Sequence, residues 1–147
     1  MLNERTITQD IAFESPMELS KSILYGVDAG GSTFVLGSSS DIYALLDNNY
    51  SDIEELYGIV IQTTGWEAPL NPETGETDCP PSEHAERRRV ALVVTLTLNG
   101  FCVGMKFARH VPGAVIEETT IDESLPSGLL WDAMNECMDK VKKARFN

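Results

Sequence analysis

Alternating apolar and polar residues on both sides of Asn99-Gly100 predict a β-hairpin over about residues 90–98 and 101–110. This hairpin constrains the fold more than any other feature. Asn-Gly is the favoured two-residue turn because both of its positions need positive φ. If Leu98 lies opposite Phe101, the two strands place six large apolar residues on one face, while the other face is expected to be half exposed. The six are Leu92, Val94, Leu96, Val103, Met105 and Phe107.

Helical signals flank this hairpin in the chain. A stripe of apolar residues at spacings of three and four predicts a C-terminal helix over about 127–145. The stripe consists of Leu130, Met134, Cys137, Met138 and Val141. A second helix is predicted over 16–25, because Ser15 and Glu18 form a capping box and Gly26 suits the helix stop.

Shorter elements are predicted between these segments. They are a strand at 33–36, helices at 41–47 and 52–57, a buried strand at 59–61 and a further strand at 114–116. Residues 1–14 are predicted to form an irregular or strand-like lead, and 117–123 a surface connection.

Together these elements predict one α+β domain over residues 1–147. Its sheet is mainly antiparallel, is built around 59–64, 90–98 and 101–110, and has the N- and C-terminal helices on one face. A chain of this length buries about two-thirds of its unfolded surface. The fold therefore needs no disulfide or metal.

The net charge of −12 is unevenly distributed along the chain. Residues 1–80 contain 14 acidic and two basic residues, whereas residues 81–147 contain nine of each. An acidic field opposes binding to nucleic acid and to anionic membranes, and it favours basic protein partners. Solubility alone is the other interpretation of the same charge.

The three cysteines do not indicate a metal site. Cys79, Cys102 and Cys137 lack CxxC or Cys/His spacing, so we expect no metal and no cofactor. A thiol at Cys102 or Cys137 is expected to pack as a small hydrophobe. No signal peptide is recognised, and no apolar run approaches the roughly 18 residues of a membrane span. We expect a cytosolic protein with reduced thiols.

A long polar segment, residues 63–89, is the predicted location of function. Connections in compact domains are commonly about 4–6 residues, and much longer loops are often functional. Two structural interpretations stay open. In one, Trp66 anchors the loop to the sheet. In the other, Arg87, Arg88 and Arg89 pair with carboxylates of the same chain. As interface hot spots are enriched in Trp and Arg, the segment offers four candidate partner-binding residues: Trp66, His84, Arg87 and Arg88.

A hydrolytic enzyme is the alternative hypothesis. His84 would act as a general base with nearby carboxylates. The predicted register places the other histidine, His110, opposite Arg89 at the end of the hairpin near His84. The chain contains no P-loop, G-x-S-x-G or HExxH motif. No catalytic residue is therefore named.

Two segments of the chain resemble a pattern in small proteins of actinobacteria and their phages. They are Thr64-Gly65-Trp66-Glu67-Ala68-Pro69-Leu70 and Pro81-Ser82-Glu83-His84-Ala85-Glu86-Arg87-Arg88-Arg89-Val90. The resemblance covers about residues 58–140, and Ala85 stands where the pattern usually has Pro. It implies an intracellular accessory protein of a phage or an actinobacterium, and it transfers no catalytic residues.

The leading hypothesis is a small acidic binding protein without enzymatic activity. It would modulate or inhibit a host protein by direct contact, without binding nucleic acid or membrane. A virion or scaffold component and a homodimer remain open alternatives.

Overall fold

The computed structural model describes residues 3–14, 21–67, 71–75, 83, 85–86, 88–98, 102–109, 118–122 and 129–146. In these ranges the element order is α1 (Glu4–Glu14), β1 (Ser22–Val27), β2 (Thr33–Ser39), α2 (Ile42–Leu46), β3 (Gly58–Glu67), β4 (Arg88–Thr97), β5 (Cys102–Arg109), β6 (Glu118–Asp122) and α3 (Leu129–Phe146). All six strands belong to one antiparallel sheet in the order β2-β1-β3-β4-β5-β6. The predicted α+β class, with an antiparallel sheet packed against N- and C-terminal helices, is confirmed.

Helices cover both faces of the sheet, whereas the sequence predicted cover on one face. The first face packs against α2 and α3, and the buried residues of the core between them include Leu24, Ile59, Ile61, Val94, Leu96, Met134, Met138 and Val141. The second face packs against α1 through Ile7, Ile11, Val27, Val60, Ala91 and Val93. The central strands β3 and β4 are therefore buried on both sides, which explains the uninterrupted apolar runs 59–61 and 90–94 within them.

The register of the β4–β5 hairpin differs from the prediction by one residue. Leu96 lies opposite Cys102, and Thr95 lies opposite Val103. A two-residue turn at Asn99-Gly100 would have placed Leu96 opposite Val103. A shift of one residue moves every side chain of a strand to the other face. The prediction of one shared apolar stripe is therefore wrong.

The predicted stripe is divided between the two faces. Leu92, Val94 and Leu96 pack with the α2 and α3 core, as predicted. Val103 is fully buried on the face that α1 covers, beside Thr95. Thr95 is also fully buried, not half exposed as predicted, and its Oγ1 hydrogen bonds the Oγ1 of Thr8 in α1 at 2.7 Å. Met105 and Phe107 occupy strand positions in β5, but their side chains lie outside the described residues.

The N-terminal residues form a helix, not the predicted strand-like lead. Asn3 begins α1, since its Oδ1 accepts from the Thr6 N–H at 2.9 Å and its carbonyl accepts from the Ile7 N–H at 3.0 Å. Ile7 and Ile11 share the face of α1 that is buried against the sheet. Their β-branched side chains and those of the neighbouring Thr residues favoured a strand, and burial against the sheet outweighed that preference.

The helix predicted over 16–25 is wrong for its second half, because Ser22–Val27 is strand β1. Hydrogen bonding to β2 on one side and β3 on the other determines this conformation. Residues 15–20, which contain the predicted capping box, lie outside the described residues. Gly26 is an interior strand residue, not a helix stop.

The shorter elements agree with the prediction in part. Helix α2 is confirmed with Ile42, Leu45 and Leu46 buried, and α3 is confirmed with its predicted stripe. The helix predicted at 52–57 is wrong, since that segment forms turns. The predicted surface connection at 117–123 contains strand β6, and the strand predicted at 114–116 lies outside the described residues.

Candidate functional site

Two of the four predicted partner-binding residues lie on adjacent strands at one end of the sheet. Trp66 in β3 is opposite Arg89 in β4, and Arg88 is opposite Glu67. The pairing brings together residues that are more than 20 positions apart in the sequence. Their backbone positions are described, while their side chains lie outside the described residues.

The connection between β3 and β4 is shorter than predicted. It comprises residues 68–87, not 63–89, because both flanking strands extend into the predicted loop. A turn at 71–75 is its longest described part. His84 and Arg87, the other two predicted partner-binding residues, lie outside the described residues.

A further arginine, Arg109, lies in line with Trp66 and Arg89 across the sheet. Arg109 in β5 lies opposite Arg89, so Trp66, Arg89 and Arg109 occupy one row across three strands. The predicted register had placed His110 opposite Arg89, and that prediction is wrong. His110 lies outside the described residues. This end of the sheet thus combines an aromatic residue with arginines from two strands.

A second candidate surface lies next to the N-terminal end of β3, at the opposite end of the strand from Trp66. Residues 47–55, here called the acidic loop, carry the exposed side chains of Asp47, Asp52, Glu54 and Glu55. Strand β3 contains ten residues. At about 3.3 Å per residue, it separates the acidic loop from the arginine-containing end of the sheet by about 30 Å.

Local hydrogen bonds shape the acidic loop into consecutive turns. The Ile53 N–H donates to the Tyr50 carbonyl at 3.1 Å, and the Leu56 N–H donates to the Ile53 carbonyl at 3.1 Å. The Tyr50 hydroxyl donates to the Leu45 carbonyl at 2.7 Å. Leu56 is fully buried in the core. The loop is thus held on both sides, at α2 and at the sheet.

Cations of α3 bind the backbone of this loop. Arg145 Nη2 donates to the carbonyls of Ile53 at 2.9 Å and Glu54 at 2.6 Å, and Lys140 Nζ donates to the Asp47 carbonyl at 3.2 Å. Such charge-assisted hydrogen bonds are stronger than neutral ones. These ammonium and guanidinium groups contact backbone carbonyls, and the four loop carboxylate side chains are exposed.

The acidic loop belongs to a long segment without basic residues. Residues 22–86 contain 12 Asp and Glu and no Lys or Arg. In the part of the chain that the structure describes, no basic side chain forms an ion pair with the four carboxylates of the acidic loop. The sequence predicted the acidic excess but not this surface, although the interval without Lys or Arg between Lys21 and Arg87 is a signal for it.

A cleft between α2 and α3 adjoins the acidic loop. Its volume is about 370 Å³, within the range of small-ligand sites. Tyr43 at its margin is 45% exposed, and the carboxylates of Asp47 and Glu136 also line it. Its two carboxylates outnumber the one cation of its lining, Lys140, so the carboxylates and the exposed aromatic ring suit a cationic side chain. The lining residues are Tyr43, Ala44, Leu46, Asp47, Ala133, Glu136 and Lys140.

Cys137 packs as a small hydrophobe, as predicted. It is 1% exposed within the core between α3 and the sheet. Burial raises the pKa of its thiol to about 11, against a smaller lowering effect of Lys140. Since the thiolate is the nucleophilic form, Cys137 is not a reactive residue in the folded protein.

The described ranges show neither a candidate metal site nor a candidate membrane span. No group of three or more His, Cys, Asp or Glu in those ranges is arranged to hold a metal ion. None of the described helices has the length and apolar character needed to cross a membrane. Comparisons of the chain with protein-family models, curated proteins and solved structures give no match.

Proposed function

We propose that this protein is a binding protein that recognises a basic protein partner through the acidic loop and the cleft between α2 and α3. One observation carries the proposal: exposed carboxylates lie beside α3, yet the Lys140 and Arg145 side chains bind backbone carbonyls and leave those carboxylates unneutralised. The sequence resemblance adds the expectation that the partner is a host protein which this chain modulates or inhibits.

The chemistry of the surface defines the partner. Lys or Arg side chains would pair with the acidic loop, and one could enter the cleft against the Tyr43 ring. An acidic field accelerates encounter with a basic protein and disfavours nucleic acid. Exposed charges that attract a partner give association rates that fall as salt rises.

Charge-neutral variants test the proposed surface. In the loop variant, Asp47→Asn, Asp52→Asn, Glu54→Gln and Glu55→Gln remove four charges without removing volume. The matched control neutralises four other acidic residues, Glu4, Asp10, Glu73 and Glu83. Each immobilised protein captures partners from an actinobacterial lysate at low salt, and mass spectrometry identifies them.

We expect one or more basic proteins to be lost with the loop variant and kept with the control. A purified partner should then bind the wild type at least about tenfold more tightly than the loop variant. Identical capture by both variants would refute the acidic loop as the binding surface.

The arginine-containing end of the sheet is a second contact that the same assay tests. Arg88→Ala removes one of the predicted partner-binding side chains and should leave the melting temperature nearly unchanged. Truncating an interface Arg commonly costs about 2 kcal/mol. Trp66→Ala should lower both stability and binding, as an aromatic residue of a strand contributes to packing. If Arg88→Ala unfolds the protein but leaves binding intact in the folded fraction, Arg88 is structural.

A further inference from the structure

The outer side of β2 is an open sheet edge. β2 is the terminal strand of the sheet, and no other strand in the described part of the chain pairs with its outer side. Its seven residues, Thr33–Ser39, include no charged residue and no Pro, the residues that commonly protect sheet edges. Val35 is 64% exposed. The edge therefore offers both backbone groups and an apolar side chain.

Backbone alternation identifies the groups that point outward. The Tyr57 N–H donates to the Val27 carbonyl at 2.7 Å, so Val27 directs its backbone groups toward β3. Backbone groups alternate in direction along a strand. The preceding residue, Gly26, accordingly directs its groups toward its partner Phe34 in β2. The next residue of β2, Val35, then directs its N–H and carbonyl away from the sheet.

A β-bulge limits what can pair with this edge. Leu24 lies opposite Gly37 and Tyr25 lies opposite Val35, so Leu36 is an additional residue in β2. Bulges bend a strand and interrupt regular pairing. The edge is therefore suited to a short added strand and resists extended pairing.

The charge around β2 indicates which kind of strand can bind at this edge. Asp28 and Asp41 flank β2 in the sequence, and residues 22–86 contain no Lys or Arg. A second copy of this chain would carry the same net charge of −12 and would be repelled. A strand that carries Lys or Arg would be attracted.

We infer that β2 binds a short, extended, basic segment of the partner protein by strand addition. The Val35 N–H and carbonyl pair with the backbone of that segment, and the Val35 side chain contacts an apolar residue of it. This inference rests on the proposed function, because it names where part of the same basic partner docks. Helix α2 contacts β2, since a Cβ at Gly37 would lie 2.9 Å from Leu45 Cδ2, so β2 neighbours a helix that also lines the cleft.

A peptide titration tests the inference. The probe is a short fluorescein-labelled peptide of alternating Val and Lys, and its binding is followed by fluorescence anisotropy at low salt. Val35→Pro removes an N–H that makes no bond inside the sheet, and edge strands tolerate Pro. Val35→Thr is the matched control, because it keeps the N–H and the side-chain shape. A peptide of alternating Val and Glu controls for charge.

We expect Val35→Pro to weaken binding of the Val-Lys peptide by about tenfold or more, while Val35→Thr changes it by less than about threefold. The Val-Glu peptide should not bind. On adding the Val-Lys peptide, hydrogen exchange of the Val35 amide in the wild type should slow by about tenfold. This readout holds even if Val35→Pro does not fold.

Other results would overturn the inference. Equal binding by wild type and Val35→Pro, with unchanged Val35 exchange, would show that the peptide binds the acidic surface without adding a strand; the proposed function would then stand. Absence of Val-Lys binding to the wild type would also overturn it, and the acidic-loop variants would still test the proposed function separately. A wild-type dimer in sedimentation that Val35→Pro abolishes would assign the edge to a second copy.

Discussion

At Gly26, core side chains occupy the space that a methyl group would need. A Cβ built there would lie 2.5 Å from Phe34 Cε2 and 2.9 Å from Leu56 Cδ1. Phe34 bridges β2 to the core, and Leu56 follows the acidic loop. One missing side chain therefore allows the edge strand and the loop to pack against the same point of β1.

We expect Gly26→Ala to lower the free energy of unfolding by about 1–3 kcal/mol, because overpacking a filled core forces side chains or backbone to shift. Gly30→Ala is the control, since its Cβ would lie 3.4 Å from Asp28 Oδ1, an ordinary contact. Urea denaturation compares the two variants. Equal stability of Gly26→Ala and wild type would contradict the packing described here.

The thiol of Cys137 gives a pH prediction. Its pKa is raised from 9.0 to about 11 in the folded protein, so the unfolded chain loses this proton first as pH rises. Its contribution to stability is complete below pH 9 and is lost between about pH 9 and pH 11. The expected loss is about 1–3 kcal/mol, since one pKa unit corresponds to about 1.4 kcal/mol.

Urea titrations of wild type and Cys137→Ala at several pH values measure this effect. Other groups also titrate in this range, so the informative quantity is the difference between the two proteins. Stability of the wild type should fall more steeply than that of the variant. Parallel pH profiles would contradict the raised pKa.

At the scale of elements, the hairpin of β4 and β5 shows how register assigns residues to faces. Leu96 packs with α2 and α3, and Val103 lies on the face of α1. In the register expected from a two-residue turn they would be directly opposite and in contact. Whether the two side chains interact energetically therefore distinguishes the registers.

A double-mutant cycle measures that interaction. Leu96→Ala and Val103→Ala should each lower the free energy of unfolding by roughly 2–4 kcal/mol. Because the sheet separates the two side chains, the double variant should equal the sum to within about 0.5 kcal/mol. A coupling energy well above that value would support the two-residue register.

At the scale of the whole molecule, the exposed carboxylates of the acidic loop and a row of two arginine positions lie near opposite ends of β3. The acidic loop precedes β3, and Trp66, Arg89 and Arg109 align near its other end. The N-terminal acidic excess dominates the net charge of −12. Such a molecule repels polyanions and orients a basic partner toward its acidic side.

We therefore expect no binding to duplex DNA in a gel-shift assay at low salt, since the net field opposes phosphates. Association with a basic protein partner should slow steeply between about 50 and 200 mM salt, as exposed charges are screened beyond about 8–10 Å. A retarded DNA band would refute the exclusion of nucleic acid. A salt-independent rate would indicate that the acidic excess serves solubility.

Helix α3 could be predicted from sequence because it has one buried stripe and a polar remainder, which define both its period and its inward face. Helix α2 could be predicted because Ile42, Leu45 and Leu46 have the spacing of one helix face. The buried strand that begins at Gly58 and the antiparallel class were predictable for similar local reasons. The unneutralised acidic segment is also readable, as no Lys or Arg occurs in residues 22–86.

Tertiary structure alone decided the register of β4 and β5, the strand at Ser22–Val27 and the helix at Glu4–Glu14. With helices on both faces, either set of alternating residues in β4 can be buried, so hydrophobic pattern does not select one register. Strand β1 depends on partners at both edges, and α1 depends on burial of two isoleucines. The row of Trp66, Arg89 and Arg109 likewise exists only because three strands pair in this register. The contact between the acidic loop and the distant Arg145 also exists only in the folded chain.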